Sequence, residues 1–202
     1  MNDFGRQQED RHLRRQRAFA GLCVFVVLSL LTGGFFWSFL PLSRPEGIAW
    51  MTKAILFPAL CALVWYDLYE WRLPNLITVP LIMAGLALSF LDGKMPGMMS
   101  VAGAAFGYLI IYALHLYYRR VRKMDGIGLG DAKLLAAIGA WFGVFAMGPA
   151  LLLASVLGVL QAVTAKRIFS DSALPVAAIP FGPALAFTFW VLSWGQYLLP
   201  EL

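Results

Sequence analysis

Charge is what this sequence has least of. Only 13% of its 202 residues are charged and 60% are hydrophobic, so polar side chains could not cover a soluble globule. Cysteine and histidine are equally sparse, with two of each and no C-x-x-C pair, which argues against a zinc knuckle or a dithiol redox centre. Cys23 and Cys61 stand far apart inside apolar stretches and read as buried packing residues. His12 lies in a charged tail and His115 in an apolar run, and neither has a ligand-type partner at helical spacing. No metal and no cofactor is therefore expected. No internal repeat or low-complexity tract stands out. The glycines at 126, 128 and 130 follow no strand and sit in no βαβ pattern, so a phosphate cradle is a poor reading.

What the chain does have is apolar length. Its short polar runs separate stretches long enough to cross a bilayer, which takes roughly 20 helical residues. Spans are expected at 18–40, 49–66, 76–91, 98–118, 132–147, 149–165 and 178–198. The fifth and sixth are short for two crossings and break at Met147-Gly148-Pro149. The fold class is thus an all-α, polytopic transmembrane helical bundle of about seven spans. It divides into a basic tail at 1–17 and a transmembrane domain at 18–198.

Basic residues orient this layout. Arg6, Arg11, Arg14, Arg15 and Arg17 precede the first span and place the N-terminus in the cytoplasm. Counting turns from there, Arg72, Arg119, Arg120, Arg122, Lys123, Lys166 and Arg167 also fall inside, and the outer loops hold only Arg44 and Lys94. The first apolar run exceeds the 7–15 residues of a secretory signal and reads as a retained anchor. The net charge of +5 is accounted for by orientation, so the partner expected is membrane lipid and not nucleic acid. Trp37, Trp50, Trp65, Trp71 and Trp194 fall near span ends as interfacial aromatics do, whereas Trp141 and Trp190 read as packing residues.

Two aspartates stand out at the boundaries. Asp67 ends the second span and Asp131 opens the fifth, and the parity of the turns puts both on the cytoplasmic face. Asp131 could be a helix N-cap, a position that favours Asp. The alternating Gly126, Gly128 and Gly130 before it leave the backbone open to close approach of another peptide chain. Asp67 is harder to explain as structure, because a helix C-terminus disfavours negative charge and ionisable groups against spans are functional by default. Helix polarity suggests Asp131 as the base and Asp67 as the acid of a coupled pair that could activate water against a peptide carbonyl. Lys133 is either an interfacial anchor or a group that orients the site. Pro74-Asn75 reads as a helix start. Glu70, Asp125 and Asp171 are solvated loop acids that could also attract a basic substrate segment.

Asp67 followed by Arg72-Leu73-Pro74-Asn75, and Gly128-Leu129-Gly130-Asp131 followed by Ala132-Lys133-Leu134-Leu135, together resemble the type IV prepilin peptidase family of membrane aspartyl proteases. The run Ala136–Gly143 and the segment Ile179-Pro180-Phe181-Gly182-Pro183 extend the resemblance over roughly residues 50–190. It implies Asp67 and Asp131 as the catalytic pair, with Gly128, Gly130, Lys133, Pro74 and Asn75 shaping the site. The implied substrate is a prepilin or pseudopilin of a type IV pilus or type II secretion system. Cleavage would fall between its basic leader and apolar helix, at the cytoplasmic face of the bacterial inner membrane. Leu73 replaces the usual Ile, Trp71 takes part of the usual basic pair, and Asp125 stands where Glu is common. Many members carry a cytoplasmic insertion with paired C-x-x-C motifs, associated with N-methylation, and residues 41–48 hold nothing similar. Peptidase activity without methyltransferase activity is the expectation. Tyr66-Asp67 and Pro183-Ala184-Leu185 also fit presenilin-like proteases, although the Pro74-Asn75 spacing favours the prepilin type. A proton relay in a transporter and a non-catalytic assembly subunit are the alternatives from other classes.

Overall fold

The computed structural model describes residues 15–16, 18–33, 47–70, 72–92, 96–122, 128–168 and 180–195. Within them every regular element is helical. The helices are α1 (Ala18–Gly33), α2 (Gly47–Glu70), α3 (Asn75–Asp92), α4 (Gly97–Tyr117), α5 (Leu129–Phe142), α6 (Met147–Ile168) and α7 (Gly182–Gly195), with a π-helical turn at Tyr118–Arg122 prolonging α4. Most of the N-terminal tail, Trp37, Arg44, Trp71, Lys94, Lys123, Asp125, Gly126, Asp171 and Ile179 lie outside the described residues, as do the side chains of Trp50, Lys166 and Arg167.

α5 is the central helix. Ala132, Leu134 and every residue from Leu135 to Ala140 are buried, as expected of a helix that is apolar all round. It packs against α3 and α4, and it also touches α6 and α7. The contact with α4 is backbone on backbone: a Cβ on Gly139 would collide with the Gly103 carbonyl, and one on Gly107 would sit 2.7 Å from the Leu135 carbonyl oxygen. Gly103 and Gly107 form one G-x-x-x-G step and Gly139 and Gly143 another. Small residues at this spacing let helices approach closely where lipid supplies no hydrophobic drive between them.

The break after α5 falls earlier than Met147-Gly148-Pro149. α5 stops at Phe142, Gly143 adopts φ 76°, and α6 already begins at Met147. Gly143 supplies the left-handed backbone that ends the helix. Pro149 sits in the first turn of α6, where its missing N–H has no partner to lose.

Among the described residues two stretches, Gly97–Val121 and Met147–Thr164, are long and apolar enough to cross a membrane, and only 22% and 17% of those windows are buried inside the molecule. Core helices of a soluble fold would be mostly covered. Instead Leu76, Ile55, Met98, Leu91 and Leu152 point outward, a surface suited to lipid.

Three packing expectations change. Cys23 is exposed on α1 rather than buried, and Cys61 is half-buried; both are free thiols. Trp194, in the last turn of α7, is 5% exposed rather than open to an interface. Trp141 and Trp190 do pack as read from the sequence, and each also anchors a neighbouring helix. Trp141 Nε1 donates to the Leu81 carbonyl at 2.8 Å and Trp190 Nε1 to the Ser29 carbonyl at 2.9 Å.

Candidate active site

Asp67 stands in the last turn of α2, 7% exposed. Asp131 stands in the first turn of α5 and is half-buried. Asp131 is not the N-cap: that position is Gly128, extended at φ −70° and ψ 136°, whose carbonyl accepts the Asp131 N–H at 3.2 Å. With its capping duty gone, the Asp131 carboxylate is left for other work.

The third contributor is Gly182, the first residue of α7. Its N–H donates to Asp67 Oδ2 at 3.1 Å, and a Cβ there would collide with that carboxylate. Three chain segments far apart in sequence therefore converge. An α-helix leaves its first N–H groups without intrahelical partners, so the start of α7 is a natural acceptor site for a carboxylate. The sequence resemblance covered Phe181-Gly182-Pro183, but a backbone donor has no side-chain signal. Pro183 after Gly182 could mark only the helix start.

The two motifs are also bolted to each other. Leu73, 7% exposed, lies over Gly130, where a Cβ would approach the Leu73 side chain to 3.0 Å. The chain's own 72–74 connection thus lies against Gly130. Lys133 Nζ donates to Asn75 Oδ1, tying the start of α5 to the start of α3. Pro74 starts α3 as expected: its carbonyl accepts the N–H groups of Ile77 and Thr78, both at 3.2 Å. Gly128 stays open, with its Cβ direction 3.9 Å from Asp131 Oδ2.

Both carboxyls lie just beyond the apolar spans expected at 49–66 and 132–147. Burial pushes Asp67 up to about 6, against the lowering effect of the Gly182 hydrogen bond. Burial also pushes Asp131 up to about 7, and the Asp67 charge adds to the rise. The donor from Gly182 favours the ionised form of Asp67. Among the described residues no group of three or more His, Cys, Asp or Glu side chains could hold a metal.

Beside the site, Ser155, Gly158, Val159 and Ala162 of α6 face Pro180 and Phe181 across a groove of about 330 Å³. Gln161 Nε2 closes one edge by donating to the Pro180 carbonyl at 3.1 Å.

Residues 54–163 match the model of the type IV leader peptidase family. The chain belongs to that family. Among its relatives is a prepilin leader peptidase/N-methyltransferase of Aeromonas salmonicida, 38% identical over 150 residues, which cover 73% of this chain and 51% of the relative. Proteins of the same name from Pseudomonas putida and Neisseria gonorrhoeae are 36% and 31% identical, covering 74% and 83% of this chain and 54% and 56% of theirs. The chain thus spans about half the length of these curated relatives. No solved structure matches it. The family match runs from the residue after Lys53 to Val163 and so includes both aspartates but not Gly182.

Proposed function

We propose that this chain is a membrane-embedded aspartyl endopeptidase that removes the basic leader from prepilins or pseudopilins. It would work at the cytoplasmic face of a bacterial inner membrane, with residues 18–198 acting as one peptidase domain. The observation that carries the reading is a buried Asp67 that accepts the Gly182 N–H, with a half-buried Asp131 near enough to feel its charge. Asp67, ionised by the Gly182 N–H, takes a proton from water as the water oxygen attacks the scissile carbonyl. Asp131, kept protonated by burial and by its charged neighbour, donates to the carbonyl oxygen or to the leaving amine as the C–N bond breaks. Like charges close together do not both ionise readily, so such a pair holds one proton near neutral pH.

The family membership and the relatives' names support a prepilin as substrate. The groove between α6 and Phe181 suits the apolar residues that follow a leader, and membrane lipid is the other partner. No nucleic acid, metal or cofactor enters the scheme. The geometry supports the peptidase half of the relatives' names. A transporter relay fits less well, because both acids occupy helix ends rather than broken helices at mid-membrane.

The test is to co-express the chain with a prepilin and compare wild type, Asp67→Ala and Asp131→Ala for leader removal. Cleavage by wild type and its loss in both variants is expected. Processing that survives either substitution would sink the carboxyl-pair reading.

A further inference from the structure

Lys53 is the unexplained charge in this molecule. It sits in the N-terminal part of α2 at 6% exposure, in the middle of an apolar stretch, and no role follows for it from the two motifs. A buried ammonium is costly unless it donates to good acceptors. Lys53 Nζ donates to the Ser193 carbonyl at 2.8 Å and lies 3.7 Å from the centre of the Trp194 ring. Ser193 belongs to the last turn of α7, where carbonyls lack intrahelical partners and carry the negative end of the helix dipole. Lys53 therefore grips the C-terminal end of α7 by a hydrogen bond and by the ring beside it.

The other end of the same helix is the one that serves the site. α2 and α7 run antiparallel, with Lys53 against Ser193 at one end and Asp67 against Gly182 at the other. Between the two fixed points the packing is aromatic, Phe57 on Trp190 at 5.2 Å between ring centres. Apolar surfaces of this kind resist separation but set axial position weakly, since dispersion is non-directional. A helix rises about 1.5 Å per residue. A slide of α7 by that amount would carry the Gly182 N–H out of hydrogen-bonding range of Asp67, which it now meets at 3.1 Å.

We propose that Lys53 is a positioning residue for the aspartate site, fixing the axial register of α7 so that the Gly182 N–H reaches Asp67. Its consequence for catalysis rests on the peptidase reading above, whereas its effect on α7 does not. The two ends of α7 act as one rigid strut: Lys53 holds the far end, and Gly182 delivers the donor.

The experiment uses the full chain in lipid nanodiscs and compares wild type, Lys53→Met, Lys53→Gln and Lys53→Arg. The first readout is backbone hydrogen exchange. Lys53→Met should speed exchange in residues 180–186 about tenfold, leaving α4 and α5 protected as in wild type. Lys53→Arg, which keeps the charge and donors, should recover most of that protection. The second readout is the pH profile of leader cleavage, whose acid limb should move upward in Lys53→Met and return in Lys53→Arg. If Lys53→Met does not fold, Lys53→Gln is judged by the same exchange measurement. Unchanged exchange at 180–186 in a folded variant, or a uniform rise across all helices, overturns the proposal. Loss of protection at 180–186 alongside a wild type that cuts no prepilin upholds Lys53 and removes only the peptidase reading.

Discussion

Gly182→Ala is the sharpest perturbation of the proposed chemistry, because it adds a single methyl group outside both sequence motifs. The Cβ would fall on Asp67 Oδ2 and Cγ, so either the carboxylate or the start of α7 must withdraw, and the 3.1 Å bond from the Gly182 N–H is lost. A hydrogen bond to a charged group contributes about 1.5–3 kcal/mol. Divided by 1.36 kcal/mol per pH unit, that raises the ionisation of Asp67 by about one to two units. In the wild type Asp67 is pushed up to about 6 and Asp131 to about 7. Activity needs one carboxyl ionised and the other protonated, so it falls below the lower step and above the upper one. Raising the lower step narrows that window from the acid side. Cleavage of a prepilin by purified Gly182→Ala should drop about five- to fiftyfold at pH 6 and less at pH 7, with the acid limb displaced upward. The assay is leader removal by initial rate over pH 5–9, with thermal unfolding as the check on folding. A folded Gly182→Ala enzyme with the wild-type acid limb would refute the role given to this amide.

Asp131→Asn should abolish cleavage and yet stabilise the protein. A carboxyl whose folded value is raised contributes stability below its ordinary 3.8, and that contribution is lost as pH climbs through about 7. Asn stays neutral throughout, so the variant should melt like wild type near pH 4 and higher near pH 8. The gain at pH 8 is on the order of 1–3 kcal/mol, reduced from the full shift because Asp131 is only half-buried; equal melting at both pH values would contradict it. Gly139→Val places a side chain on the Gly103 backbone, where overpacking costs about 3 kcal/mol. Its unfolding midpoint in detergent should fall well below that of wild type, as should that of Gly139→Ala, and an unchanged midpoint would mean that α4 and α5 are not in backbone contact.

Much of this protein was legible in its residue order. Apolar length gave helices and no strands, Pro74 and Asn75 marked the start of α3, and the two acidic motifs stood out because ionisable groups are rare in so apolar a chain. Those are local or compositional properties, written in consecutive residues. What tertiary structure decided is how distant pieces meet. It brought the Gly182 N–H to Asp67. It laid Leu73 over Gly130 and joined Lys133 to Asn75, turning two motifs into one site. It moved the α5–α6 break to Gly143, whose positive φ the neighbouring Gly148-Pro149 disguised. It buried Lys53 and Trp194 together, where a cation, a ring and a helix end meet. The physical reason is the same in each case. A backbone amide has no side chain to read, and the partner of a buried polar group is chosen by packing across many residues rather than by its neighbours in the chain.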